Sequence, residues 1–298
     1  MTLASDWIER TKGYLLSGVQ EEKNKLDSAY TAGSGSITVS YDLMGIQPGS
    51  RIEIGTNLLY VWAVAGNTAT VTGGWEGTTD ANASAGAIVT VNPRFPAAQI
   101  LDALNTDLVD LSSPANGLYQ VGTETLTYNP LLTGYDLDGV TDLISVIEAR
   151  GQTPGIYKDW PRIATHKMRV MQTAPTGSGG FASGKALFVY EDMYAGYPIW
   201  VTYKKGFTAL ASTTTDVSTT GLPTTAYDLP PLGAAIQLMA GREIKRAFTE
   251  TQGDTRRAVE VPVGATAASV NGLRLLRSQR IEAEKQRLDA FYPIIKDA

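Results

Sequence analysis

The chain contains no cysteine and only one histidine, His166, in 298 residues. Disulfides and thiolate metal sites are excluded, and a His-based metal centre cannot be assembled within one copy. Positive charge is also scarce, with 25 Lys and Arg against 30 Asp and Glu, a net charge of −5. A protein that coats nucleic acid needs the opposite balance, so that class is set aside. Long apolar runs are missing too. No window approaches the roughly 20 apolar residues of a membrane helix. Met1 to Arg10 carries Asp6, Glu9 and Arg10 and lacks the apolar core of a signal peptide. The expectation is a soluble chain with no membrane partner.

Glycine is plentiful, at 30 residues, and Thr/Ser/Gly-rich stretches recur at Thr31 to Ser36, Thr176 to Gly180 and Ser212 to Thr220. That texture predicts tight turns joining short strands. Helical periodicity is confined to four places. Ser5 or Asp6 can cap a first helix, with Glu9 in capping-box position to Asp6, and a face running through Ile8, Thr11, Leu15, Val19, Leu26 and Tyr30. A second, with the cleanest stripe, carries Ala97, Ile100, Leu101, Leu104, Leu108 and Leu111 until Ser112-Ser113-Pro114 stops it. A third opens at Asp228-Leu229-Pro230-Pro231, a capping side chain followed by proline where its missing N–H costs nothing.

The fourth helix, from about Gly272 to Tyr292, differs. Leu273, Leu276, Ile281, Leu288 and Phe291 are sparse among Arg274, Arg277, Arg280, Glu282, Glu284, Lys285, Arg287 and Asp289. Such a helix buries little within its own chain and reads either as a solvated face or as a surface for another subunit. Arg274, Arg277, Arg280, Glu284, Arg287, Leu288 and Phe291 are the candidate interface residues. Gln252 to Ser269, polar and Gly/Ala-rich, is long for a helix connector and reads as a binding arm.

Between the helices the period shortens to that of strands. Ser36 to Val91 holds alternating runs with turns at Pro48-Gly49 and Gly66-Asn67, predicting a small closed barrel or sandwich. Leu118 to Tyr203 holds six further runs rich in aromatic and β-branched residues, which fits a β-sandwich. Gly206 to Thr225 reads as a Thr/Ser link. The fold class is therefore α+β: a helical frame (N-terminal, central and two C-terminal helices) with an inserted small β-barrel-like module and a β-sandwich. Residues 1–35, 94–115 and 226–298 form the helical core, 36–93 the inserted module, and 116–225 the sandwich with its linker.

No run carries a catalytic, cofactor or metal signature. Gly179-Gly180-Phe181-Ala182-Ser183-Gly184-Lys185-Ala186 misses a phosphate-binding loop at Ala186, and the strand-like Leu187-Phe188-Val189-Tyr190 follows where a helix is required. Asp136, Asp138 and Asp142 fail the EF-hand register, because Val140 and Thr141 stand where a ligand and a glycine belong. They read as an Asp/Gly turn. His166 reads as an ordinary strand residue, and no G-x-S-x-G elbow supplies a serine for it.

Arg51-Ile52-Glu53-Ile54-Gly55, Tyr60-Val61-Trp62-Ala63-Val64, Gly73-Gly74-Trp75-Glu76-Gly77-Thr78 and Gly86-Ala87-Ile88-Val89 resemble a small β-module recurring in phage virion proteins. The chain departs from that pattern at Gly73, where arginine is usual, and at Ala83, near where a histidine often lies. The order of helices and β modules resembles the head-to-tail adaptor (connector) proteins of tailed bacteriophages.

That resemblance implies a non-enzymatic virion subunit of the neck, assembled in the host cytoplasm. It implies a homo-oligomeric ring, a dodecamer, between the portal protein and a tail or nozzle protein. Double-stranded DNA would pass through without sequence recognition, and an acidic wall suits that sliding. The alternatives are another neck, tail or capsid-surface protein, or a virion-associated carbohydrate-binding or depolymerising enzyme suggested by Trp62, Trp75, Trp160 and Trp200.

Overall fold

The computed structural model describes residues 2–16, 21–41, 45–140, 142–155, 160–177, 180–250 and 265–292, with side chains left out over 240–250 and 265–268. The protein is mixed α and β, with antiparallel sheets. It divides into two compact units, Met1–Leu108 with Ala209–Arg280 and Val109–Thr208 with Ile281–Ala298.

The first unit opens on α1 (Ala4–Leu16), which buries Ala4, Trp7, Ile8, Thr11 and Lys12. Its start is fixed by Asp6, whose carboxylate accepts from the Leu3 N–H at 2.8 Å. The helix is shorter than the periodicity suggests. Glu22–Lys25 is a strand, β1, with Asn24 buried. Leu26 and Tyr30, expected on the helix face, belong instead to the core of a six-stranded sheet. Val19 lies outside the described residues.

That sheet contains β1, β2 (Ser36–Thr38), β3 (Arg51–Ile54), β4 (Asn57–Ala65), β5 (Thr68–Thr72) and β6 (Ile88–Val91), in the order β1-β6-β3-β4-β5-β2. It curls into a half-barrel around Leu26, Ile37, Val39, Ile52, Leu59, Val61, Val71 and Val89. The outer strands meet where Leu26 bridges Val39 and the Asp27 N–H donates to the Thr38 carbonyl at 2.9 Å. A second closure lies at Asp80. Its carboxylate accepts from the Tyr30 hydroxyl at 2.9 Å, the Gly33 N–H at 2.8 Å and the Asn57 amide at 2.8 Å. A Cβ on Gly73 would collide with this carboxylate, a physical reason for glycine there. Ala83 pairs with Tyr30 through both backbone bonds.

Glu53, on β3, ties the half-barrel to two helices. Its buried carboxylate accepts from the N–H of Ala97 at the first turn of α2 (Ala97–Leu111), where the helix dipole favours negative charge. It also lies 3.4 Å from the ammonium of Lys12 on α1, which is 3.5 Å from Glu21. Burial raises the Glu53 carboxyl above its ordinary value, against the pull of Lys12 and the Ala97 N–H. Burial alone would lower Lys12, but Glu53, Glu21 and Glu9 outweigh it and hold the ammonium above 10.5.

The Gly206 to Thr225 stretch, expected as a link, is packed. Asn105 donates to the Leu210 carbonyl at 3.0 Å and accepts its N–H at 2.7 Å. Leu210, Val217, Thr220 and Leu222 are buried. The Leu3–Asp216 bridge pairs this stretch with the N-terminus. Then follow α3 (Leu229–Glu250), which packs on α1, and α4 (Ala265–Phe291). Asp228 does not cap α3 through its side chain: Pro230 and Pro231 lack the N–H groups a cap would bind, and the carboxylate instead receives Arg280. Of the arm expected at Gln252 to Ser269, residues 265–269 are helical and the rest lies outside the described residues.

The second unit holds two three-stranded sheets. One orders β7 (Gln120–Thr127), β12 (Pro198–Lys205) and β9 (Leu143–Gly151); the other orders β10 (Met168–Met171), β11 (Ala186–Val189) and β8 (Gly134–Asp136). Their buried residues form one cluster that includes Tyr135, Leu137, Leu187, Val189, Ile199, Val201 and Tyr203. Two expected runs, at Leu118 and Thr125, are a single strand. The expected Asp/Gly turn begins inside β8, and His166 sits in a 3-10 turn (Thr165–Lys167) ahead of β10.

Two outcomes test this packing. Removing Glu53 as Glu53→Ala breaks a buried ion pair and a helix cap together, and chemical denaturation should show a loss of about 3–5 kcal/mol. Burial and Asp80 push the Tyr30 hydroxyl up to about 12 from 10.0. A raised value in the folded state means its contribution is present below pH 10 and lost as pH climbs towards 12. An ultraviolet difference titration of wild type against Tyr30→Phe should therefore show its midpoint near 12.

Candidate functional site

The charged helix α4 is held by its own chain, which corrects the premise drawn from its sparse apolar content. Arg277 donates to Asp107 of α2 at 2.6 Å, and both side chains are largely buried. Asp107 also faces Gly233 of α3, where a Cβ would clash with the carboxylate. Three helices thus converge on one acid. Arg280 makes two bonds to Asp228, at 2.9 and 3.2 Å, and one to the Thr225 carbonyl at 2.6 Å. Within the second unit, Lys285 donates to the Ala115 carbonyl at 3.3 Å, and Ile281 and Glu284 are buried. Counting apolar residues missed this because Arg277 and Arg280 make their inward contacts through ion pairs.

The seven candidate interface residues therefore separate. Arg277 and Arg280 are intrachain anchors. Glu284 is buried and accepts from Arg287 at 2.7 Å, while the Arg287 guanidinium lies 5.7 Å from the Phe291 ring centre. Leu288 is half-buried, and Arg274 and Phe291 are exposed. Leu275, which sequence reading passed over, is 63% exposed, and Leu276 is 46% exposed. With Arg277 and Arg280 engaged by acids of the same chain, this helix leaves leucines outside. The signal was present in the sequence as the spacing of Arg277 and Arg280 against acids elsewhere, and it is readable only once those acids are placed.

The near-match to a phosphate loop binds an anion, but an internal one. Asp136 accepts from the Ala182 N–H at 2.6 Å and the Ser183 N–H at 3.3 Å, and from the Ser183 hydroxyl. Ser183 and these N–H groups hold the Asp136 carboxyl below its ordinary value. Lys185 donates to the Val140 carbonyl at 2.8 Å. The Ala182 and Ser183 N–H groups are engaged by Asp136 and the Lys185 ammonium by Val140, and β11 follows where a helix would have to start. Gly179 lies outside the described residues. Among those described, no group of three or more His, Cys, Asp or Glu side chains is placed to hold a metal.

Aromatic side chains make the other notable surface features. On the outer face of the half-barrel, Tyr60 stacks on Trp75 at 4.4 Å between ring centres, and Trp62 meets Tyr60 edge-on at 4.6 Å. In the second unit, Trp160 meets Trp200 at 5.9 Å, beside the Arg150–Glu148 pair. The four tryptophans singled out in the sequence thus fall into two pairs, each within one unit.

No protein-family model matches the chain, and no curated protein is significantly similar to it.

The anchoring is tested by Arg277→Ala, which takes the guanidinium from a buried carboxylate. A stability loss of about 3 kcal/mol is expected in denaturant titration. Arg274→Ala, at an exposed position, should change stability by less than about 0.5 kcal/mol.

Proposed function

We propose that the chain is a structural virion protein of a tailed bacteriophage, a head-to-tail adaptor whose copies form a ring under the portal, extend the DNA channel and dock the tail. In this reading α1 to α4 are the helical frame, the half-barrel is the inserted module, and the paired sheets of the second unit are the β-sandwich. The chain would act without catalysing a reaction, in the neck of the virion. Its partners would be copies of itself, the portal protein, a tail or nozzle protein, and passing duplex DNA.

The observation that carries the reading is the exposure of Leu275 and Leu276 on a helix whose neighbouring arginines are engaged by Asp107 and Asp228. Side-by-side packing of copies would cover them and remove their apolar surface from water. The order of elements and the Arg51 to Val89 motif support it from the sequence. The net charge of −5 suits a conduit that must not retain phosphates. No helix among the described residues is long and apolar enough to cross a membrane.

Negative-stain microscopy and light scattering of the purified chain test the reading. Rings with a central hole are expected, and Leu275→Glu with Leu276→Glu should return them to monomers without changing the melting temperature. A wild-type chain that stays monomeric, or rings indifferent to both charges, would contradict it.

A further inference from the structure

We infer that the outer face of the half-barrel carries a binding platform for neutral saccharides with equatorial hydroxyls, built from Tyr60, Trp62 and Trp75 and flanked by Arg51 and Glu76. The inference stands on its own observations and does not depend on ring assembly.

Two backbone irregularities converge on these rings. Trp62 falls at a register shift between Val61 and Ala63 of β4, where β5 offers it no direct partner. A bulge turns a side chain away from the regular alternation, and here both Trp62 and Ala63 are exposed in succession. Trp75 sits in a 3-10 turn bracketed by left-handed residues: Gly74 at φ 69°, Glu76 at φ 54° and Gly77 at φ 80°. Glu76 has no glycine's freedom, and a non-glycine residue in that region is a local cost that the surrounding structure must hold in place. The turn is fixed from below by the Thr78 hydroxyl, which donates to the Trp75 carbonyl at 2.9 Å. Its result is Trp75 laid over Tyr60.

A fold needing only to fill space would bury these rings. Trp62 is instead 55% exposed, and its indole N–H is already satisfied by the Thr72 hydroxyl at 2.7 Å. Its ring is therefore presented in a fixed pose, with no indole donor left seeking a partner. Arg51, the cross-strand partner of Tyr60, donates to Glu76 at 2.9 Å, both side chains being partly exposed. The pair is neutral in sum and offers donors and acceptors at the edge of the aromatic surface.

That combination selects among ligands. The negative faces of aromatic rings attract the weakly positive C–H groups of a pyranose. Sugars with equatorial hydroxyls present a flat patch of axial C–H groups, while Arg51 and Glu76 supply hydrogen bonds to hydroxyls at the rim. Phosphate-bearing chains are disfavoured by Glu76 and by the chain's net charge of −5. The ligand class is a neutral glycan with equatorial hydroxyls.

The test uses the full-length protein with chitohexaose and cellohexaose, monitored by tryptophan fluorescence and by saturation-transfer NMR. A saturable response with Kd of about 1 mM is expected for at least one of the two sugars. Trp62→Ala should weaken it about tenfold or more, and Glu76→Gln about threefold, with circular dichroism and melting unchanged. Because Trp75→Ala can release the turn, Trp75→Phe serves as its check and should retain most of the affinity. No saturable response to either sugar would overturn the inference. So would unchanged affinity in Trp62→Ala, or loss of binding in Trp200→Ala with Trp62→Ala intact, which would move the site to the other unit.

Discussion

Buried charge that must be neutralised inside the chain is the constraint from which the arrangement of the first unit follows. Glu53 sits on an inner strand of a small half-barrel, where an unpaired carboxylate would cost several kcal/mol. It is tolerated because a helix start and a lysine meet there. That requirement fixes where α1 and α2 lie against β3. Asp107 imposes the same demand one helix away, and Arg277 of α4 meets it. Hydrophobic burial supplies the bulk of the stabilisation, but these ionic contacts decide which helix lies where.

The consequence for function is an inversion. A helix so rich in charge reads as the face offered to a neighbour. In the fold Arg277 and Arg280 are anchors, and Leu275 and Leu276 are among the side chains left exposed. An interface proposed on this helix therefore rests on apolar contact, which is less sensitive to salt than an array of arginines would be. The same logic separates the two other features. The Asp136 nest is closed by the protein's own carboxylate, whereas the aromatic platform is left open on the outer face.

Sequence reading succeeded where one periodicity dominated. The stripe from Ala97 to Leu111 and the Ser-Ser-Pro stop give α2 with its observed bounds. Strands β3 to β6 are legible from alternation and from glycine turns. It failed at Glu22–Lys25, whose charged composition hides an outer strand that buries one asparagine, and at Gly134–Asp136, too short and too polar to show a period. It failed again at the Thr/Ser stretch after Gly206, where burial of Val217 and Leu222 depends on pairing with the N-terminus. The four tryptophans were visible, but their grouping was not. Trp62 and Trp75 meet only because a bulge and a left-handed turn bring them together, and neither has a reliable signature in one sequence.

The claim that α4 is held by its own chain is tested most directly by hydrogen–deuterium exchange of residues 269–292, measured as the protein is diluted until it is monomeric. Protection that persists in the monomer, and drops on Arg277→Ala, is the expected result. Exchange of the whole helix on dilution, with protection returning only on assembly, would contradict it.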